Sequence, residues 1–473
     1  MNSLSCDVAI IGGGTAGLAA ERSARRAGAA TLLIDDRFAG TTCASVGCMP
    51  SKLLIAAADA AHAVRHAHVF GVMAPEPVVD GREVMSRLRR ERDKFVQGVE
   101  RTFEDLPDGV TVKGRARFLG PTTLELDDGR QINTCAVVIA TGSLPSIAKA
   151  FDEVRDCLLT HETIFDLPIL PVSVGVVGAG PLGLELGQAL SRLGVDVAVF
   201  DDGDKLAGLV DFDVAQDLQM ILSAEFPIRL GVEVSAQMHD DGGVLLSWSG
   251  TSSGERRFQY LLIAAGRPPQ LSGLGLAEAG LAVDAHGTPC FDKFTLQCGA
   301  SSIFIAGDAN HDQPVLHAAS EEGAIAGRNA ATFPNVTPAR RSVPFSITFT
   351  DPAIAVIGDK PEAANSAQVL GRASYADQGR AKVTARNAGL VHLYADATSG
   401  RLTGATVVGP GAEHSAHLLA WAIQEGRTAT ELLDLPFYHP TYEEGLKPAL
   451  RQICMTVHAD TPGDRDEGAP PGA

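Results

Sequence analysis

The sequence lacks an excess of positive charge: 39 Lys and Arg stand against 57 Asp and Glu, a formal net charge of −18 over 473 residues. Sequence-independent binding to nucleic acid or to an anionic membrane surface draws on basic patches, so both partner classes drop out. No run of about 18 uninterrupted apolar residues occurs, which leaves no ordinary membrane-spanning helix. The opening stretch, MNSLSCDVAIIGGGTAGLAA, has no basic segment and its apolar run is broken by glycines, so it reads as neither signal peptide nor anchor. Aromatic residues make up only 5%, but 45% of the chain is hydrophobic and 20% charged, which suits large cores and excludes disorder throughout. Cysteine is sparse as well: eight residues in so long a chain do not form a disulfide scaffold, and six of them are scattered. The expectation is a soluble, cytoplasmic protein of several domains, at roughly 100–200 residues each.

What is present is one supersecondary pattern used twice. The β-rich run CDVAII (6–11) leads into Gly12, Gly14 and Gly17, an Ala-rich helical stretch from Leu18 to Ala27, and a strand Ala30 to Ile34 ending at Asp35. The run Val172 to Val177 leads into Gly178, Gly180 and Gly183, a helix Leu184 to Leu193, and a strand Val195 to Phe200 ending at Asp201. First glycine and acid are 23 residues apart in both copies (12 to 35, 178 to 201). AVVIATGSLP (136–145), LLIAAGRPP (261–269) and SIFIAGDA (302–309) are further apolar strands running into glycine turns. Strands without alternation, each entering such a turn, predict parallel sheets covered on both faces.

From about residue 340 the texture changes. VPFSITFTDPAIAVIG, GRAKVTARNAGLVHLYAD and GRLTGATVVG read as antiparallel strands with a turn at Thr398 to Gly400, followed by helices around 412–425 and 442–457. Residues 82–105 predict a charged helix whose charge run is a solvated face, and the Pro-, Gly- and Asp-rich tail reads as disordered.

A single Gly-x-Gly-x-x-Gly is weak evidence, equally suited to a tight turn with close helix packing. Two of them, each between a strand and a helix and each with an acid at the same offset, point to two bound dinucleotides with pyrophosphate on the helix N-terminus and the acid on the ribose hydroxyls. In the second copy Asp201 is followed by Asp202, and carboxylates there repel a 2′-phosphate, which favours NAD over NADP; Lys205 is the cation nearby.

The segment GTTCASVGCMPSK is the most informative. Cys43 and Cys48 are five positions apart, a gap that a loop entering a helix can close, given the 4.4–6.8 Å or so between Cα atoms that a disulfide needs. Pro50 suits a first helical turn, so Cys48 is expected at a helix N-terminus, where the dipole favours a thiolate. The plainer alternatives are two buried thiols or half of a metal site, though zinc needs further ligands at short spacing.

With these residues the chain resembles the flavin-dependent pyridine nucleotide–disulfide oxidoreductases, the family of dihydrolipoyl dehydrogenase, glutathione reductase and mercuric reductase, from about residue 5 to 457. The resemblance implies an α/β fold of two Rossmann-like domains, the first for FAD and the second for NAD, plus a C-terminal α+β dimerisation domain. It implies that Cys48 is the charge-transfer thiol facing the flavin and Cys43 the interchange thiol that attacks the substrate. Lys52 falls on the lysine near flavin N5 and Glu185 in GLELG on its partner, while Ala116, Thr141 and Gly142 in the ATG turn, Gly266 and Asp308 in GDA fall on cofactor-binding positions. YHPTYEE resembles the family's His-Pro-Thr-x-x-Glu, with His439 as acid–base for the interchange thiol and Glu444 fixing its tautomer and basicity. In the family that histidine reaches the flavin site of the other subunit, so a homodimer is implied. The implied domain limits are 1–147 (FAD, first part), 148–270 (NAD), 271–340 (FAD, second part), 341–458 (dimerisation) and 459–473 (tail).

Departures bear on the substrate. Thr41 replaces the second glycine of Gly-Gly-Thr-Cys and is strained if that position needs a positive φ. Ala44 to Gly47 lack the asparagine typical of dihydrolipoyl dehydrogenases; Pro181 stands at the gating tyrosine of glutathione reductases; Ala353 replaces a common glutamate; Tyr438 precedes His439 in place of the usual small-residue/His context; and there is no C-terminal cysteine pair of the mercuric reductase kind. The expected activity is dihydrolipoyl dehydrogenase-like, passing electrons between a small dithiol or lipoyl-domain protein and NAD through the Cys43–Cys48 pair and FAD. The alternatives are an NAD(P)H-dependent reductase of another disulfide or of a metal ion, and a low-turnover flavin/NAD redox sensor. Direction follows relative potentials, at about 30 mV per tenfold change in equilibrium.

Overall fold

The structure is a computed structural model and describes residues 3–240, 242–361 and 367–461; most of the tail expected to be disordered lies outside these. The chain forms two compact units, one of residues 1–50, 87–146 and 266–342, the other of 51–86, 147–265 and 343–473.

In the first unit five parallel strands stand in the order Thr111–Lys113, Thr31–Asp35, Ser3–Ile11, Gln131–Ile139, Ile303–Ile305. An antiparallel hairpin, Ala116–Gly120 with Thr123–Leu126, continues from the N-terminal half of Gln131–Ile139. The strands do not alternate because both faces are covered. Val8, Ile10, Leu33, Val138 and Phe304 pack on one side against Ala16, Ala20, Ala319 and Ala326 of two helices, Thr15–Arg26 and Leu316–Thr332. Ala9, Ile11, Ile34, Ile139 and Ile305 pack on the other against Phe118, Leu124 and Leu126 of the hairpin. Those two helices touch backbone to backbone: a Cβ on Gly323 or Gly327 would stand 2.1 Å from the carbonyl of Ala16 or Ala20. No other residue type fits there.

The second unit holds a parallel sheet in the order Ile228–Arg229, Asp196–Phe200, Ser173–Val177, Tyr260–Ile263, Leu158–Leu159, with the helix Pro181–Arg192 between its first βαβ strands. It also holds a three-stranded meander over Val232–Met238, Val244–Gly250 and Gly254–Phe258, which the sequence reading did not anticipate. Its C-terminal sheet is antiparallel, in the order Phe345–Thr348, Ala353–Gly358, Leu402–Gly409, Leu390–Asp396, Gln368–Ser374, covered by the helices Ala412–Gln424 and Lys447–Thr456. One expectation is corrected here. GRAKV is a short helix, Gly379–Val383, because the Gln378 side chain accepts a hydrogen bond from Ala381 N (2.7 Å) and caps it; the strand of that segment begins only at Leu390.

Asp211 ties a helix of this unit to the C-terminal sheet. One oxygen caps the helix Phe212–Ser223 through Val214 N (3.2 Å), and the other accepts from His392 Nδ1 and Tyr394 OH, both at 2.6 Å. Burial alone would raise its pKa, but the hydrogen bonds from His392 and Tyr394 outweigh this and hold it below the ordinary carboxylate value. Asp213 also approaches this pair closely enough to suggest a cation site. Asp211 already spends both oxygens, however, and Asp213 carries Arg372 at 3.8 Å.

Candidate active site

The three glycines of the first turn do three different jobs. Gly12 takes φ +111°, and a Cβ there would lie 2.3 Å from the Ala140 carbonyl; a Cβ on Gly17 would lie 1.8 Å from the Gly12 carbonyl, so helix and strand touch. Gly14, the N-cap of the helix Thr15–Arg26, faces open space, with nothing within 4 Å of where its Cβ would be. That opening, ahead of the helix N–H groups, has the geometry of an anion site at a helix N-terminus. Asp35 closes the turn from the next strand, accepting from Gly13 N (2.9 Å) on one oxygen and from Arg37 N and Phe38 N on the other. Asp36 beside it accepts from Arg115 Nε (2.9 Å), the residue before Ala116.

Two further turns of this unit present polar groups. Gly142 takes φ +73°, and the Thr141 hydroxyl before it is buried without a hydrogen-bond partner in the protein. Ser143 donates to Asp308 Oδ2 (2.8 Å), Arg267 pairs with the same oxygen (3.2 Å), and Arg267 Nε is likewise buried without a partner. Buried groups without partners are costly, and a polar ligand that reaches them removes the penalty. These orphaned groups beside Asp308, with the Gly14 opening, fit a large polar cofactor such as FAD. The Gly307–Asn310 turn that carries Asp308 is itself anchored: the buried Glu322 accepts from Gly307 N (2.8 Å), Asn310 Nδ2 (2.7 Å) and the Arg341 guanidinium. Gly266, at φ +115°, opens the segment leading to Arg267.

The second turn, in the other unit, repeats the design. Gly178 takes φ +113° with its Cβ position 2.4 Å from the Ala264 carbonyl, Gly183 would meet the Gly178 carbonyl at 2.0 Å, and Gly180 is open. Pro181 starts the helix, where its missing N–H costs nothing. Asp201 accepts from Ala179 N (2.5 Å) and from Gly203 N (2.8 Å), the counterpart of Asp35. Asp201 and Asp202 present carboxylates at the strand end, a fit for the ribose of NAD.

In the cysteine segment Thr41 is not strained. It sits at φ −97° and ψ 156° as N-cap of the short helix Thr42–Ser45, its hydroxyl accepting from Ala44 N (3.4 Å), while the preceding Gly40 takes the positive φ of +89°. A cap position wants a small polar acceptor, which threonine supplies. Cys43 lies half-buried on that short helix, and Cys48, exposed, is the first residue of the helix Cys48–His66. Lys52 follows one turn later on the same face.

Lys52 Nζ donates to Glu185 Oε2 at 2.7 Å, and Glu185, buried, accepts from Phe349 N (2.8 Å) on its other oxygen. The ammonium also lies 4.4 Å from the centroid of the Phe349 ring. Near the C-terminus His439 Nδ1 lies 3.1 Å from Glu444 Oε2 and 3.3 Å from Oε1, and Thr441 N donates to Oε2 (3.1 Å). A carboxylate only accepts, so Nδ1 carries the proton and Nε2 keeps its lone pair. His439 is half-exposed and Glu444 is buried in the turn Glu443–Leu446.

Sequence reasoning missed Ser143, Arg267, Glu322 and Phe349. Ser143 and Arg267 carried a signal, since each directly follows the glycine of one of the repeated strand–turn units, Gly142 and Gly266. Glu322 and Phe349 carried none, because their roles depend on partners brought close only by folding.

The profile of the pyridine nucleotide-disulphide oxidoreductases matches residues 6–323, and that of the same family's dimerisation domain matches residues 344–450. Dihydrolipoyl dehydrogenase of Bacillus subtilis is 32% identical, covering 96% of this chain and all of its own length. Dihydrolipoyl dehydrogenase of Halobacterium salinarum is 30% identical, covering 96% of this chain and 98% of its own. Among solved structures, a Cu(II) complex of a HOCl-induced flavoprotein disulfide reductase from Escherichia coli superposes with a TM-score of 0.81 at 21% identity, over 96% of this chain and all of that one.

Proposed function

This chain belongs to the pyridine nucleotide-disulphide oxidoreductases, flavoprotein enzymes that use FAD and NAD, and on that premise we propose that it oxidises a small dithiol of the dihydrolipoyl kind with NAD+ as acceptor. The single observation that carries the reading is the His439–Glu444 pair, which leaves an imidazole lone pair pointing away from its carboxylate anchor. Dithiol oxidation needs such a base, because thiolates and not thiols are the nucleophiles.

His439 Nε2 takes the proton of one substrate thiol. The thiolate attacks the Cys43 sulfur of a Cys43–Cys48 disulfide, that bond breaks, and Cys48 leaves as a thiolate favoured by its place at a helix N-terminus. The second substrate thiol then loses its proton to solvent and attacks the substrate sulfur of the mixed disulfide, closing the substrate disulfide, while Cys43 leaves and takes up the proton held on His439 Nε2. Two electrons now rest on the cysteine pair. FAD, when bound, supplies the two-electron carrier between that pair and the nicotinamide. Thr141, Gly142, Asp308 and the turn at Gly12, Gly14 and Gly17 would hold FAD, with Asp35 and Ala116 toward its adenosine end; Gly178, Gly180, Gly183, Asp201 and Gly266 would hold NAD. Lys52 and Glu185 would stand at the flavin ring.

The proposed assembly is a homodimer in which His439 serves the cysteine pair of a second copy. Its support is the dimerisation domain and an apolar face on it: Leu418, Trp421, Leu435, Phe437 and Tyr438 line a cavity of about 510 Å³, with Trp421 62% and Tyr438 83% exposed. No helix among the described residues is long and apolar enough to cross a membrane, and the proposed compartment is the cytoplasm, with a lipoyl-domain protein as the physiological dithiol carrier.

The test is a steady-state panel of dihydrolipoamide with NAD+ or NADP+ and of glutathione disulfide and Hg(II) with NADH or NADPH. NADH formation from dihydrolipoamide, abolished in Cys48→Ser, is the expected result. Turnover confined to glutathione disulfide or Hg(II) would replace the substrate, and reduction of an artificial acceptor alone would point to a redox sensor.

A further inference from the structure

One face of the helix Pro181–Arg192 grips the bend that joins the strands Phe345–Thr348 and Ala353–Gly358. Glu185 Oε1 accepts from Phe349 N (2.8 Å). Gln188 accepts from Asp351 N and donates to Asp351 O, both at 2.8 Å. Arg192 Nη1 donates to Asp351 Oδ2 (3.2 Å). Positions 185, 188 and 192 form one helical stripe, so three side chains bond the backbone and one carboxylate of residues 349–351 in register.

The stripe is itself rigid. Arg192 is buried and binds Glu225 through two bonds of 2.8 Å each, and it also reaches Asp59 on the helix Cys48–His66 (3.2 Å). A planar guanidinium held at this many points has one orientation. Two consequences meet at Lys52, which lies on that same helix. Its ammonium has the Glu185 carboxylate on one side at 2.7 Å and the Phe349 ring on another at 4.4 Å from the centroid. The ring face attracts the cation through its quadrupole and keeps water from that side of the ion pair. Because Glu185 is buried, with its other oxygen taken by Phe349 N, the carboxylate cannot follow the lysine if the ring is lost.

We propose that Phe349 is a positioning residue for Lys52: its amide fixes the Glu185 carboxylate and its ring confines the Lys52 ammonium, so the charge that faces the flavin ring has one location. This rests on the reading of Lys52 as the lysine beside the flavin. The ring acts through Lys52, as the amide acts through Glu185.

The test uses the FAD-loaded full chain and four variants: Phe349→Leu, Phe349→Tyr, Lys52→Met and the Phe349→Leu/Lys52→Met double. Each is titrated anaerobically for the two-electron flavin potential and for the long-wavelength thiolate–flavin absorption at half reduction, with FAD content and Tm as checks on folding. Phe349→Leu should lose at least half of the long-wavelength absorption and lower the potential, Phe349→Tyr should keep both, and in the Lys52→Met background the Phe349→Leu change should have no further effect. Phe349→Leu indistinguishable from the parent, or an equal effect with and without Lys52, overturns the assignment of Phe349 alone. A parent protein with no long-wavelength absorption overturns the functional reading, and this proposal with it.

Discussion

Glu322 is the residue whose replacement most directly tests how the Gly307–Asn310 turn, the proposed seat of the flavin, is built. Its carboxylate is fully buried and accepts from three donors: Gly307 N, Asn310 Nδ2 and the Arg341 guanidinium. In Glu322→Ala the first two donors lose their acceptor out of reach of bulk water, at about 1–3 kcal/mol each. Arg341 keeps Glu321 at 3.2 Å, so its charge is not orphaned. The expected loss is about 2–6 kcal/mol, the sum over those two donors. At about 2–4 °C per kcal/mol for a domain of this size, the flavin-release transition should fall by roughly 4–24 °C. Glu322→Gln should be milder, because one amide oxygen in the place of Oε2 still accepts from Gly307 N and Asn310 Nδ2, and only the contact to the Arg341 guanidinium is replaced by a facing NH₂. The assay is a thermal melt followed by flavin fluorescence, with FAD content measured beforehand. If Glu322→Ala melts within about 1 °C of the parent, the donors are not relying on this carboxylate and the account of the Gly307–Asn310 turn is wrong.

Replacing His439 by Ala should lower dithiol turnover by about 10²-fold or more while leaving reduction of the flavin by NADH intact; near-parental turnover would remove it as the base. Asp201→Ala should raise KM for NADH by about tenfold, since a charged acceptor for two ribose hydroxyls is lost, and KM for NADPH by less; equal increases would contradict the cofactor assignment. Asp211 yields a pH prediction. Its pKa is depressed in the folded chain, so its contribution to stability is complete above the unfolded value near 3.9 and is lost as pH falls through the folded value. Asp211→Asn should therefore be less stable than the parent at neutral pH, and the difference should shrink on acidification below about pH 4, read by denaturant titration at each pH. A difference that stays constant down to pH 3 would rule out this linkage.

The sequence by itself determined the elements whose chemistry is local or periodic. The two glycine turns were legible because backbone close to backbone demands glycine at fixed offsets, as Gly12 against the Ala140 carbonyl and Gly178 against the Ala264 carbonyl now demonstrate. The unalternating strands were legible because both faces of those sheets are buried. His439 and Glu444 were legible because five residues and a tight turn are enough to bring them together. Other features depended on packing between distant segments. Thr41 looked strained until its neighbour Gly40 proved to take the positive φ and Thr41 the cap. GRAKV looked like a strand because nothing in its composition reveals that Gln378 caps it as a helix. Phe349 joins Glu185 across 164 residues, Lys52 joins Glu185 across 133, and Glu322 holds a turn on a different element. A hydrogen bond constrains residue identity only once both partners are near each other, and for these pairs that nearness is a property of the folded chain alone.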